Sequence, residues 1–208
     1  MDFDLTTEQE LIRDTVREFA RERVAPVAEE LDRESRFPYE LVAELGELGL
    51  MGLPIPEDYG GAGGDTVSYA IAIEELTRID SSVAITVAAH TSLGTMPIFL
   101  FGTEEQKQAW LPDLASGRKL AAFGLTEPGA GSDAGNTLTT AERRDGEWVV
   151  NGSKMFITNA GTDILGRSVS VMFVPKGKLP KPIPTKTTKK KKSDDDMDST
   201  TTTTPTSP

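Results

Sequence analysis

The stretch FGLTEPGAGSDAG, residues Phe123–Gly135, marks the point where the sequence changes from helical to strand-like patterning. A strand-like run, Lys119–Thr126, leads into it, and glycines with one proline follow. Glycine accepts positive φ and permits close approach, so backbone N–H groups in such a segment can converge on an anion. The stretch therefore predicts a site for a phosphate or a pyrophosphate.

Two other phosphate-binding motifs compete for this stretch. Gly129–Ala134 fits G-x-G-x-x-A, the dinucleotide fingerprint of doubly wound folds. That fingerprint needs a helix directly after the glycines, whereas Thr137–Thr140 is strand-like, so we reject it. A P-loop is excluded because no Lys-Ser/Thr pair follows. From the residues alone, a glycine-rich strand connection without a ligand remains open.

Five helix starts precede the glycine-rich stretch, and the region up to about Ser116 reads as helical. They are marked by capping-box patterns, a proline and short polar residues. Pro26 disfavours an unbroken continuation of the first helix, although its apolar spacing resumes through Leu31. The predicted starts are Thr6–Gln9, Pro38, Asp65, Ser81 or Ser82, and Thr103–Gln106.

Strand patterns replace the helices after Gly117. Leu138–Arg144 and Glu147–Val150 flank an Asp-Gly pair, which is a signal for a type I′ turn. Lys154–Thr158 and Ser168–Val174 read as further strands. Helices followed by an antiparallel sheet predict an α+β fold, with a helical domain at residues 1–118 and an incomplete β domain at 119–175.

Composition narrows the possible functions. The 208 residues include no cysteine and one histidine, which excludes disulfides and thiolate metal sites and predicts no metal centre. The net charge is −11, and an acidic surface disfavours nucleic acid as a partner. The longest apolar run, Val83–Ala89, is far shorter than the roughly 20 residues of a membrane span. We expect a cytoplasmic protein, because the acidic start does not resemble a secretion signal.

A different composition begins at Lys176. Residues 176–208 contain 8 Lys and 4 Asp, and runs such as Lys189–Lys192 and Thr200–Thr204 carry almost nothing apolar. Such a segment cannot build a core, so the sequence predicts a disordered, solvated tail.

Two long motifs resemble the signatures of the acyl-CoA dehydrogenase family. Leu125–Asp133, LTEPGAGSD, is similar to the first signature, and Lys154–Asn159, KMFITN, is similar to the second flavin segment at the expected distance. Pro54–Gly61 and Phe101–Lys107 are also similar to family landmarks. The resemblance covers residues 1 to about 166 or 174, and beyond Leu165 the sequence departs from the family pattern, as a truncated or wrongly joined product would.

The resemblance implies a helical domain, a β domain and a carboxy-terminal helical bundle, with FAD between the last two. Thr126 would hydrogen-bond the polar edge of the flavin, and Ser132 would reach the phosphate side of FAD and the acyl-CoA. Phe156, where the family commonly has Trp, would pack on the ring face, and Thr158 would donate toward N5. The implied cofactor-binding residues are Phe123, Gly124, Leu125, Thr126, Glu127, Pro128, Gly129, Ala130, Gly131, Ser132, Phe156, Ile157 and Thr158.

The family reaction removes an α-proton from an acyl-CoA with a carboxylate and passes the β-hydrogen as hydride to flavin N5, giving the 2-enoyl-CoA. The resemblance places that carboxylate in the third domain, so we expect no catalytic residue and no turnover in this chain alone. It also implies an electron-transfer flavoprotein as acceptor and a homotetramer. Alternatives are an acyl-CoA oxidase or flavin monooxygenase on the same scaffold, or a non-catalytic flavin- or acyl-CoA-binding protein.

Four other residues could be assigned functional roles, but structural roles are expected for them. Glu127 and Asp133 are expected to cap backbone N–H groups rather than to act as bases. His90, in an apolar helical stretch, is expected to be a hydrogen-bonded packing residue. Trp110 is expected to belong to the core.

Overall fold

The computed structural model describes residues 4–162 and the backbone of residues 168–172. The predicted tail at 176–208 and the end of the predicted last strand, residues 173 and 174, lie outside these ranges. Seven α-helices and four strands are present in the described part of the chain. The helices are α1 Thr7–Phe19, α2 Ala25–Glu34, α3 Tyr39–Glu47, α4 Thr66–Thr77, α5 Ser81–Ala88, α6 Met96–Phe101 and α7 Glu104–Ala115, and the strands are β1 Leu120–Gly124, β2 Thr140–Arg144, β3 Glu147–Asn151 and β4 Ser168–Met172.

The helix starts follow the predicted caps with two exceptions. Pro38, the predicted start of the second helix, is the residue before α3, which begins at Tyr39. Thr6 and Thr103 form complete capping boxes with Gln9 and Gln106, and Asp65 accepts from the Ser68 N–H. The cap of α5 is Asp80, whose carboxylate accepts from two backbone N–H groups, and not Ser81 or Ser82 as predicted. An aspartate one residue earlier supplies a charged acceptor for the same orphan donors.

The first α-helix does not continue unbroken through Pro26, as the sequence predicted, although the chain stays helical up to Glu34. A π-helical segment, Ala20–Val24, joins α1 to α2, and Pro26 lies in the first turn of α2. The wider turn changes the register of the hydrogen bonds just before the proline, whose missing N–H is then tolerated. A second π-helical segment, Ala89–Thr95, joins α5 to α6 in the same way, just before Pro97 in the first turn of α6.

The helix that runs through α5 and α6, Ser81–Phe101, is long and apolar enough to cross a membrane by length and composition. Of its most apolar window, 56% is buried inside the structure. Core helices of soluble proteins have the same composition, so the expectation that no segment spans a membrane stays a prediction.

Strand β1 connects the helices to the rest of the chain. Leu120 packs in the main core, which is built from α1 to α5, whereas Ala121 packs in a second cluster with Ile98, Leu111 and Leu114. Gly94 of the π-helical segment lies directly against Ala121. The backbone that leads into the glycine-rich stretch is therefore fixed by the helical region.

Two strand pairs complete the described fold. β2 and β3 form the predicted antiparallel hairpin, and positive φ at both Asp145 and Gly146 confirms the type I′ turn. β1 pairs with β4 in parallel, which the strand patterns did not predict. Lys154–Thr158 is not a strand, because its backbone leaves the extended conformation at Phe156. A helical region followed by a small antiparallel sheet confirms the α+β class.

Candidate functional site

The first of the two segments that resemble the family signatures, Leu125–Asp133, begins where β1 ends. Leu120, Ala121 and Ala122 are fully buried, Phe123 is half-buried, and Gly124 at the end of the strand is buried again. Leu125 and Thr126, which follow the strand, are half-buried. The segment thus emerges from the core onto the surface.

A tight turn at Glu127–Ala130 follows. The Glu127 N–H donates to the Ala130 carbonyl at 3.0 Å, and the Ala130 N–H donates back at 3.1 Å. Pro128 and Gly129 are exposed at the tip, as are Gly131 and Ser132 beyond it.

The glycines of this turn do not use the positive φ that the sequence predicted. Gly129, Gly131 and Gly135 all lack positive φ, and only Gly129 lies within the turn that the two backbone hydrogen bonds close. A Cβ at Gly129 or Gly131 would meet no atom within 4 Å. These positions therefore leave open space beside the backbone.

Glu127 is the acceptor at the centre of the site. It is 6% exposed, and its carboxylate accepts from the N–H groups of Leu138 and Thr139 and from the Thr139 hydroxyl. Glu127 thus caps backbone N–H groups, as the sequence predicted. Burial alone would raise the pKa of Glu127, but the hydrogen bonds from Lys154 and Thr139 lower this pKa to about 2. The Glu127 carboxylate is therefore ionised, and its oxygens are engaged in these hydrogen bonds.

Lys154 joins the two segments that resemble the family signatures. Its side chain is 3% exposed, and its ammonium donates to the Leu125 carbonyl at 3.0 Å and to the Glu127 carboxylate at 2.8 Å. The next residue, Met155, donates its N–H to the Thr126 carbonyl at 2.9 Å. A buried ammonium needs such partners, since an unpaired buried charge is strongly destabilising. The pair was not predicted from the sequence, because its members are 27 positions apart.

The second segment presents an aromatic side chain. Phe156 has a φ of 57° and is 83% exposed. Left-handed backbone costs a non-glycine residue roughly 1 kcal/mol, so the flanking contacts must hold it. Ile157 and Thr158, which follow, are half-buried.

Asn159 ends this segment inside the protein. Its side-chain amide donates to the Thr86 carbonyl of α5 at 3.0 Å and to the Ala121 carbonyl of β1 at 3.2 Å. The chain from Lys154 to Asn159 is thus attached at both ends, and its middle faces outward.

The two segments meet through the hydrogen bonds of Lys154 and Met155, but Asp133 takes no part in these contacts. Asp133 accepts from the Asn136 side chain at 2.9 Å but makes no side-chain capping bond to the 3₁₀ turn that follows it, so the prediction that it caps backbone N–H groups is wrong. Exposed Phe156 offers a flat surface to an aromatic ring, and the space beside Gly129 and Gly131 admits a bulky group. The residues present therefore fit a flavin cofactor. No cluster of metal ligands occurs among the described residues.

His90 is confirmed as a packing residue. It is fully buried, its Nδ1 accepts from the Ala121 N–H at 2.9 Å, and its Nε2 donates to the Leu114 carbonyl, 3.1 Å away. This pattern requires the neutral ring. Burial lowers the pKa of His90 from 6.5 to about 4, although the hydrogen bond to Leu114 opposes this shift.

The pKa of His90 predicts a loss of stability in mild acid. Between pH 6.5 and about 4 the unfolded chain protonates this ring and the folded chain does not, so unfolding becomes favoured as the pH falls. The expected loss attributable to His90 between pH 7 and pH 4.5 is about 2 kcal/mol. Urea unfolding of the wild type and of His90→Gln at pH 7 and pH 4.5 measures it. An equal pH dependence in both proteins would contradict the assignment.

The two tryptophans are surface residues. Trp110 is 38% exposed, so the prediction that it belongs to the core is wrong, because it lies on the outer side of α7. Trp148 is 55% exposed and stands opposite Arg143 in the hairpin.

Comparison with known proteins identifies both regions. Residues 6–118 match the model of the acyl-CoA dehydrogenase N-terminal domain, and residues 122–181 match that of the middle domain. The second match extends beyond Leu165, where the sequence was expected to depart from the family.

Individual relatives agree with the family models. The short-chain specific acyl-CoA dehydrogenase of Clostridium acetobutylicum is 52% identical, over 77% of this chain and 42% of its own length. The structure of butyryl-CoA dehydrogenase from Megasphaera elsdenii matches with a TM-score of 0.74 and 46% identity, covering 77% of this chain and 43% of that one. An acyl-CoA dehydrogenase from Bacillus anthracis, complexed with FAD, matches with a TM-score of 0.68 and 45% identity, covering 76% and 27%.

The chain spans about two fifths of the length of the curated relatives that it matches. The N-terminal domain model alone matches more than half of the chain, and the middle domain model matches most of the remaining described residues. The chain therefore belongs to the acyl-CoA dehydrogenase family.

Proposed function

We propose that this chain carries the FAD-facing part of an acyl-CoA dehydrogenase, formed by Phe123–Ser132 and Phe156–Thr158. One observation carries the proposal. Lys154 and Met155 hydrogen-bond to the carbonyls of Leu125 and Thr126, which fastens the two segments to each other. The match to a relative complexed with FAD supports the identity of the cofactor.

Each segment has a distinct role in the proposal. Thr126 hydrogen-bonds the polar edge of the flavin, and Ser132 contacts the phosphate side of FAD and the acyl-CoA. Phe156 packs on the ring, and Thr158 donates toward N5. FAD supplies the hydride acceptor, while hydrogen-bond donors from the protein tune its electron affinity.

Glu127, the carboxylate at the centre of the site, is not suited to be the base of the chemical step. The Glu127 carboxylate accepts from three residues, and its low pKa makes it a poor proton acceptor at neutral pH. We therefore keep the proposal that the α-proton is removed by a carboxylate outside the described residues, and that this chain alone does not turn over.

We extend the proposal to the substrate and the partners. Relatives named for short-chain and butyryl-CoA substrates support a short acyl-CoA as the substrate, oxidised to the 2-enoyl-CoA. An electron-transfer flavoprotein as acceptor, a homotetramer, a cytoplasmic location and domains at 1–118 and 119–175 complete the proposal.

Gly131→Leu tests the cofactor surface directly. Since a Cβ at this exposed position meets no protein atom within 4 Å, we expect the unfolding free energy to change by less than about 0.5 kcal/mol. The added side chain would occupy the space proposed for FAD, so FAD affinity should fall about tenfold or more. Fluorescence titration with FAD and urea unfolding measure both quantities.

Gly135→Leu is the matched control, because it makes the same change beyond the proposed contact and meets only a carboxylate oxygen at 3.9 Å. It should retain FAD affinity. Equal affinities of wild type and Gly131→Leu would show that FAD does not lie beside this turn.

A further inference from the structure

The second flavin-facing segment is fixed at its far end by one buried side chain, that of Asn159. We propose that Asn159 is a positioning residue for FAD, which orients Thr158 and Phe156 by holding their backbone against both α5 and β1. The inference rests on the proposed function, because it assumes that these two residues face the flavin.

The backbone at Asn159 forms a specific turn. The Ala160 N–H donates to the Ile157 carbonyl at 3.2 Å, and φ is positive at Asn159 but not at Thr158. This is the pattern of a type II turn, in which the third residue must be left-handed. Asparagine is the residue other than glycine that tolerates this conformation best.

The side chain then ties the turn to two separate elements. Asn159 is 7% exposed, and its amide nitrogen donates to the carbonyls of Thr86 and Ala121, which lie 73 and 38 positions away. Two carbonyl acceptors establish which end of the amide is the nitrogen, since oxygen could donate to neither. The turn cannot shift without breaking both hydrogen bonds.

The position of Thr158 depends on this attachment. Thr158 directly precedes Asn159, and only four residues separate Asn159 from the buried Lys154. Within this short span Phe156 adopts left-handed backbone and an exposed side chain. With one end released, these residues would relax toward ordinary conformations, and the donor aimed at the flavin would move.

Asn159→Gly separates the side chain from the backbone. Glycine keeps the left-handed turn and removes only the amide, so the fold should be retained. In the full chain we expect FAD affinity to fall about tenfold, the absorption maximum of bound flavin to shift, and amide exchange at Met155–Thr158 without FAD to rise about tenfold. Ser35→Gly is the matched control, because Ser35 is also left-handed but lies at the end of α2; it should change none of these.

The outcomes separate this inference from the proposed function. Failure of the wild type to bind FAD would overturn the proposed function and, with it, a role for Asn159 toward flavin. Wild-type binding with unchanged affinity, spectrum and exchange in Asn159→Gly would overturn the positioning role alone. If the variant does not fold, NMR of the wild type decides: the Asn159 side-chain protons should exchange slowly and shift with FAD, and fast exchange without a shift would contradict the inference.

Discussion

Replacing Lys154 with methionine is expected to lower the melting temperature of the chain by about 10 °C and to abolish tight FAD binding. Methionine retains most of the buried aliphatic chain but removes the ammonium that bridges Leu125 and Glu127. The Glu127 carboxylate then remains buried without its counter-charge, which is far less favourable than losing an exposed ion pair. Thermal unfolding monitored by circular dichroism measures the effect.

Arg144→Met is the control for this change. It removes a cation from the Arg144–Glu142 pair, whose side chains are 63% and 54% exposed, so the melting temperature should hardly change. The double variant Lys154→Met/Glu127→Gln should recover part of the loss, since it no longer buries an unpaired charge. Similar melting temperatures for Lys154→Met and Arg144→Met would show that the buried pair does not hold the two segments together.

The second large effect is expected for Gly94→Ala. Alanine normally stabilises a helix relative to glycine by about 1 kcal/mol. Here the new Cβ would lie 2.2 Å from the Cβ of Ala121, so the helix or β1 must move. We expect a net destabilisation of about 1–3 kcal/mol, opposite in sign to helix propensity, together with weaker FAD binding because β1 leads into Phe123–Thr126. Urea unfolding measures the first and FAD titration the second.

Two further variants test the cause of this effect. Ala121→Gly in the Gly94→Ala background removes the opposing Cβ and should restore part of the stability. Gly129→Ala makes the same substitution where the new Cβ has no neighbour within 4 Å and φ is not positive, so it should be neutral or slightly stabilising. A stabilising effect of Gly94→Ala would mean that the helix does not pack closely on β1.

Local signals predicted the helical region and the hairpin well. The capping boxes at Thr6 and Thr103 and the Asp145-Gly146 turn act over four residues or fewer, so their physics is complete within the motif. The Asp80 cap was missed because three adjacent residues can all accept from the same N–H groups. The π-helical segments were missed because the prolines alone do not reveal how the helix accommodates them.

The arrangement of the site depends on contacts that no local pattern encodes. Lys154–Thr158 has the composition of a strand, yet Lys154 and Met155 hydrogen-bond to Leu125 and Thr126, and Asn159 hydrogen-bonds to α5 and β1. Such tertiary contacts override strand propensity. The resemblance to a family implied that both segments face FAD, whereas the structure shows which side chains hold the two segments together.

Hydrogen exchange of the full chain with and without FAD tests the central claim most directly, which is that two distant segments form one cofactor surface. FAD should slow amide exchange in Leu125–Ser132 and in Met155–Thr158 together, with the same dependence on FAD concentration, and should leave α1 unchanged. Protection of only one segment, or of neither, would contradict the account.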